Sequence, residues 1–209
     1  MSSAQARTRE DVLAPIAEAF EEAVPDGGGA DFVRRYFRYV PLDELTSRTP
    51  DIYAGAAASH LALARDRHPG VANVRVYNPT TEVDGWSNAR TVIQIVTDDM
   101  PFLVDSVTGA LVGAGIDIHL IVHPQLIVSR DAVGHLEAVL DRDATGKVAK
   151  GAVGEVAESW MLLAVDGTTG YDLATRVTDL LIDPAGLEVL HDLWAGLTGE
   201  PGPFADLLH

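Results

Sequence analysis

Apolar positions recur with two different periods along this chain, and the switch falls near residue 71. Before it the spacing is helical. Val12, Leu13, Ile16, Ala19 and Phe20 alternate with Arg9, Glu10, Glu18, Glu21 and Glu22, which predicts an amphipathic helix. The stretch PDGGGAD at 25–31 breaks it, its three consecutive glycines making a flexible joint. Phe32, Val33, Tyr36, Phe37 and Tyr39 then crowd into a short aromatic helix together with Arg34, Arg35 and Arg38. Thr49 as N-cap and Pro50 at the first helical position start a third helix carrying Ile52, Ala56, His60, Leu61 and Leu63. His68-Pro69-Gly70 ends it.

From residue 71 the period becomes two. VRVYNP, 74–79, reads as a strand that stops at Asn78-Pro79, and DGW, 84–86, sits in a turn-rich loop. Strands are predicted at about 90–97, 117–129, 134–141 and 158–165, with helices at about 101–114 and 170–183. Leu103, Val104, Val107, Leu111 and Ala114 share one stripe of the first of those helices. In the strand that follows, Ile116, Ile118, Leu120 and Val122 are assigned to one face, and Asp117, His119, Ile121 and His123 to the other. Such alternation describes an antiparallel sheet with one buried and one wetter face, helices packing on the buried one. Arg130 to Gly134 reads as a hairpin turn, and the Gly-rich 142–157 as a loop. The segment 184–209 stays apolar (Leu187, Val189, Leu190, Leu193, Trp194, Leu197) and is expected to need a partner surface. The expected organisation is a helical N-terminal extension over 1–70, an α+β domain over 71–183 and a helical tail over 184–209.

Charge and composition narrow the function classes. The 209 residues carry a formal charge of −16, which repels phosphate backbones and anionic membrane surfaces. The arginines among the aromatics at 32–39 are therefore read as a solvated basic face, not as a nucleic-acid platform. With no cysteine there is no disulfide, thiolate nucleophile or Cys-ligated zinc. No signal-peptide core opens the chain, and no apolar run approaches the ~20 residues that span a bilayer, so a cytoplasmic protein is expected.

Catalytic constellations are not evident. TGKV at 145–148 lacks the glycine spacing and the Ser/Thr of a phosphate-binding loop. Gly109, Gly113 and Gly115 follow a helix instead of opening one, against a dinucleotide site. His119 and His123 point to the same side of a strand but stand about 13 Å apart, too far for one ion. No metal site is assigned. The aspartate pair at 98–99 has two readings, cation chelation and, preferred, complementing the helix dipole at a start marked by Pro101. The same turn has a further use: free N–H groups at a helix N-terminus bind carboxylates, and a neighbouring aspartate binds an ammonium group. Asp98, Asp99, Met100, Pro101, Phe102 and Asp105 stand where a free amino acid would be held.

Asp99, Pro101, Leu103, Asp105, Leu111, Gly115, Ile116 and Ile118 resemble the opening of an ACT domain, whose first turn reads Asp-x-Pro-Gly and whose second reads Gly-Ile-x-Ile. Phe102 stands where the usual glycine would be. The resemblance implies an ACT-like (ferredoxin-like) α+β fold, an antiparallel sheet with helices on one face preceded by a helical N-terminal segment. In element order the chain differs: an ACT domain carries a helix and then a strand after its hairpin, whereas here SWMLLAV precedes the helix. The longer string VRVYNP, GW, TVIQIVTDDMPFLVDSV, IHLIVHPQLIVSRD and ESWM resembles the N-terminal region of the large NAD-specific glutamate dehydrogenases over most of 30–183. That resemblance implies a regulatory or assembly module, without cofactor or catalytic residues of its own, belonging to a longer enzyme that oxidises glutamate with NAD. Its expected partners are other ACT-like modules and catalytic domains of the parent chain, further copies in a homo-oligomer, and an amino-acid effector. A free-standing amino-acid sensor and a purely structural oligomerisation module are the alternatives.

Overall fold

The computed structural model of the chain describes residues 7–113, 115–140 and 154–166. Its helices are α1 (Arg9–Ala23), α2 (Gly29–Tyr36), α3 (Leu42–Leu45), α4 (Pro50–Ala64), α5 (Thr81–Asp84) and α6 (Leu103–Gly113). Its strands are β1 (Asn73–Tyr77), β2 (Thr91–Asp98), β3 (Ile118–Val122), β4 (Gln125–Arg130), β5 (Leu136–Leu140) and β6 (Glu155–Val165).

The three long N-terminal helices form where their periodicity puts them. A capping box starts α1: the Thr8 hydroxyl accepts from the Asp11 N–H, and the Asp11 carboxylate accepts from the Thr8 N–H. In α4, Thr49 is the N-cap and Pro50 the first helical residue. The single-turn helices α3 and α5 are too short to show a period, and the sequence reading has no counterpart for them.

All strand pairs are antiparallel, in the order β1-β2-β6-β4-β5, with β3 also lying on β6. Val122 pairs with Leu162 and Gln125 with Ser159, so one register runs past His123-Pro124. The strand expected over 117–129 is thus a single pairing line along β6. It divides at Pro124, which has no N–H to give the ladder, although its carbonyl still accepts from Trp160 N–H at 3.1 Å.

Two expectations about the faces need correction. The register shifts between Ile118 and Leu120. This irregularity turns the strand over, so Ile116 and Ile118 pack on the α6 side while Leu120 and Val122 face the other way. The face expected to be wetter is also dry. On it Val92, Val96, Val128, Trp160, Leu162 and Ala164 share one core with α1, α2 and α4. On the opposite face Ile93, Ile95, Met161 and Leu163 meet Leu103, Val107 and Leu111 of α6. Covered on both sides, β2 and β6 read as nearly continuous apolar runs because neither face meets water. The antiparallel α+β, ACT-like architecture stands as the sequence implied.

At its start β6 takes in Glu155 to Ala157, which the sequence reading had placed in a loop. Residues 142–153 of that loop, the helix expected at 170–183 and the tail at 184–209 lie outside the described residues.

Candidate functional site at the strand-to-helix turn

The six residues singled out at the turn lie together where β2 hands over to α6. Asp98 closes β2, Asp99 to Phe102 form the turn, and Asp105 is exposed in the first turn of α6. Met100 packs against the apolar cluster beneath α6. Phe102 has φ 61°, the left-handed region that favours glycine. At the position where the ACT pattern has glycine, the backbone thus adopts a conformation that glycine takes without strain, and a side chain held there costs roughly 1–2 kcal/mol. It also explains why α6 begins at Leu103 and not at Pro101: a residue at positive φ cannot belong to a right-handed helix.

Both aspartates of the pair are engaged by the protein itself. Asp99 accepts from Ser159 Oγ at 2.8 Å and from Gln125 Nε2 at 3.0 Å, while its N–H donates to the Ala157 carbonyl. Ser159 Oγ lies 3.0 Å from His123 Nε2. With the Ser159 O–H donating to Asp99, the hydroxyl oxygen accepts from His123 Nε2–H. This order is the reverse of a nucleophile–base relay, in which histidine takes the proton from serine and the carboxylate orients the histidine. Burial lowers the pKa of His123, the Asp99 charge partly opposing it, which keeps the ring neutral and able to serve as this donor. The row fastens the turn to β4 and β6.

Asp98 belongs to a second, deeper network. Arg67 Nη2 donates to Asp98 at 2.6 Å and Arg67 Nε to Glu158 Oε1 at 2.8 Å. Arg130 forks onto the two oxygens of Glu158 at 2.7 and 2.9 Å, and Trp160 Nε1 adds a bond at 2.9 Å. The Glu158 side chain is fully buried. Burial alone would raise its pKa, but the hydrogen bonds from Arg130 and Trp160 and the charges of Arg67 and Arg130 outweigh it and hold the group below the usual carboxylate range. Arg67 sits between α4 and β1, Arg130 at the end of β4 and Glu158 in β6, so the network ties three parts of the chain to the end of β2. Gly134 lets the 130–134 turn close on this segment. It has φ +92°, and a Cβ there would lie 2.2 Å from the Arg67 carbonyl oxygen.

Sequence reasoning located the turn but missed Ser159, Gln125, Glu158, Arg67 and Arg130. One signal was available: a glutamate next to the apolar run WMLLAV must find cations if the strand is buried. His119 lies 2.8 Å from Asp166 and so is separate from His123 in its contacts as well as in space. Among the described residues no three His, Cys, Asp or Glu side chains gather as a metal ion would require.

The family model described as "Glutamate dehydrogenase, ACT1 domain" matches residues 32–181. The chain belongs to this family. Its ACT1 match begins inside α2, so the aromatic helix and α4 are part of the matched region along with the sheet. An NAD-specific glutamate dehydrogenase of Pseudomonas aeruginosa is 36% identical over 116 residues, which is 56% of this chain and 7% of that protein. Its namesake in Halomonas elongata is 33% identical over 145 residues, covering 68% of this chain and 9% of the relative. The ACT1 chain thus spans under a tenth of the length of these relatives. Among the described residues no helix is long and apolar enough to cross a membrane.

Proposed function

We propose that this chain is the N-terminal regulatory and assembly module of a cytoplasmic NAD-specific glutamate dehydrogenase, and that it performs no chemistry itself. In the parent enzyme glutamate and NAD would give 2-oxoglutarate, ammonia and NADH in domains outside these residues. The match to the ACT1 domain over 32–181 carries this reading. The absence of a nucleophile–base order at Ser159 supports the non-catalytic part.

The same geometry favours assembly over ligand capture at the turn. An ammonium group reaching Asp99 would share the carboxylate with Ser159 and Gln125, and one reaching Asp98 would share it with Arg67. We read the Asp98–Asp105 turn as a fastened corner, suited to pairing with another ACT-like module or to a homo-oligomer contact. The test compares the parent enzyme with and without residues 1–209. The deletion is expected to change subunit assembly or the response to amino acids while NAD-linked turnover persists. Glutamate oxidation by the isolated 209 residues would overturn the reading.

A further inference from the structure

A cavity of about 380 Å³ opens on the side of the molecule away from α6, between the glycine turn after α1, the start of α2 and the outer strand β5. Its apolar wall is built from Phe32, Leu61, Leu136 and Val139. Five charged or titratable side chains reach its lining, and three of them are committed elsewhere. Arg35 donates to the Val139 carbonyl at 3.4 Å, Glu137 accepts from Ser129 at 2.8 Å, and His135 meets Asp66 at 2.8 Å. Arg65 and Asp26 are different. Both line the cavity, both are exposed, and among the described residues neither side chain makes an ion pair or hydrogen bond.

Two opposite charges facing one cavity without meeting are complementary to a ligand that carries both charges itself. A cavity of this volume that sets an apolar patch beside charged groups able to orient a ligand has the make-up of a small-molecule site. We propose that this cavity binds an apolar α-amino acid, its carboxylate held by Arg65, its ammonium group by Asp26 and its side chain against Phe32, Leu61 and Leu136. A planar guanidinium suits a carboxylate because it offers two parallel donors. Backbone placement supports the assignment. Arg65 is fixed at the end of α4, where its carbonyl accepts from Leu136 N–H at 2.7 Å, and Asp26 is held in the turn that Gly27 closes onto Val24. A ligand bridging them would join α4, the α1–α2 turn and the edge strand β5. The binding claim is independent of the regulatory reading, since it concerns this chain alone.

Calorimetric titration of the 209-residue protein with leucine tests it, alongside 4-methyl-2-oxopentanoate, which lacks the ammonium group, and 3-methylbutylamine, which lacks the carboxylate. Leucine is expected to bind saturably at millimolar concentration or below, with each analogue weaker by roughly tenfold or more. Arg65→Gln and Asp26→Asn are each expected to weaken leucine by roughly tenfold. Asp26→Asn should leave the oxo acid unaffected. Both positions are at the surface, so unchanged thermal melts establish that the variants fold. The proposal is overturned if leucine, valine, methionine and phenylalanine all give no saturable heat. It is also overturned if Kd is unchanged in either charge variant, or if binding is lost on Asp99→Asn and kept in Arg65→Gln.

Discussion

His60 makes the stability of this fold sensitive to mild acid. The ring is fully buried between α4 and the sheet, its Nε2 lying 3.1 Å from the Ile95 carbonyl and its Nδ1 2.7 Å from the Tyr36 hydroxyl. A carbonyl can only accept, so Nε2 carries the proton and Nδ1 accepts from Tyr36. Trp160 lies over the ring at 5.4 Å and Tyr36 at its edge at 5.6 Å. Burial lowers the pKa of His60 from 6.5 to about 4, with the Ile95 bond opposing it. The group therefore binds its proton more weakly in the folded state than in the unfolded chain. Its contribution is fully present above about pH 6.5 and is lost as the pH falls toward about 4. A shift of this size corresponds to about 3 kcal/mol in total, of which about 2 kcal/mol disappears between pH 7 and pH 5. The carboxylates with lowered pKa, Glu158 among them, titrate below that window, and His123 acts within it in the same direction. The assay is urea denaturation at pH 7 and pH 5 for the native chain and for His60→Gln, which cannot take up a proton. The native chain is expected to lose about 2 kcal/mol more than the variant across that interval. A direct NMR titration that found the His60 ring protonating near pH 6.5 in the folded protein would refute the argument, as would equal losses in the two chains.

Further outcomes follow from the networks and the strained turn. Glu158→Gln leaves the buried Arg130 without its carboxylate and Arg67 with Asp98 alone, and should destabilise the fold by roughly 3–5 kcal/mol in denaturant titration; a loss under about 1 kcal/mol would mean the network is not desolvated as described. At position 102 the usual order of glycine and alanine should reverse. Both Phe102→Gly and Phe102→Ala lose the ring, but only alanine keeps the strain of φ 61°, so the glycine variant should be the more stable of the two by about 1 kcal/mol. Gly134→Ala forces a methyl group against the Arg67 carbonyl and should lower the melting temperature by several degrees, roughly 1–3 kcal/mol; an unchanged melt would show that the 130–134 turn is not packed there.

How far the sequence could be read depended on the range of the forces involved. Helices α1 and α2 were legible because a helix with one apolar face repeats every three to four residues, and α4 because Thr49-Pro50 marks its start; the stops at PDGGGAD and His68-Pro69-Gly70 are local as well. The turn at Asp99–Phe102 was legible too, since an Asp-x-Pro corner is written in consecutive residues. The bulge at 118–120 was not, because alternation along a strand carries no mark of the one residue at which it flips. Nor was the drying of the second face, which depends on where α1, α2 and α4 come to rest.

The site shows the same division. By itself the sequence determined an α+β chain with no thiol chemistry, a strand-to-helix corner rich in aspartate, and a resemblance that the ACT1 match bears out. Only the tertiary structure decided what those aspartates do. Asp98 meets Arg67 from 31 positions away in the chain and Asp99 meets Ser159 from 60 away, and separations of that length leave no pattern in a single sequence. Hydrogen bonds and ion pairs form wherever folding brings partners within about 3 Å. That is why the corner could be found from its residues, while its partners, and so its fastened state, could be found only from the fold.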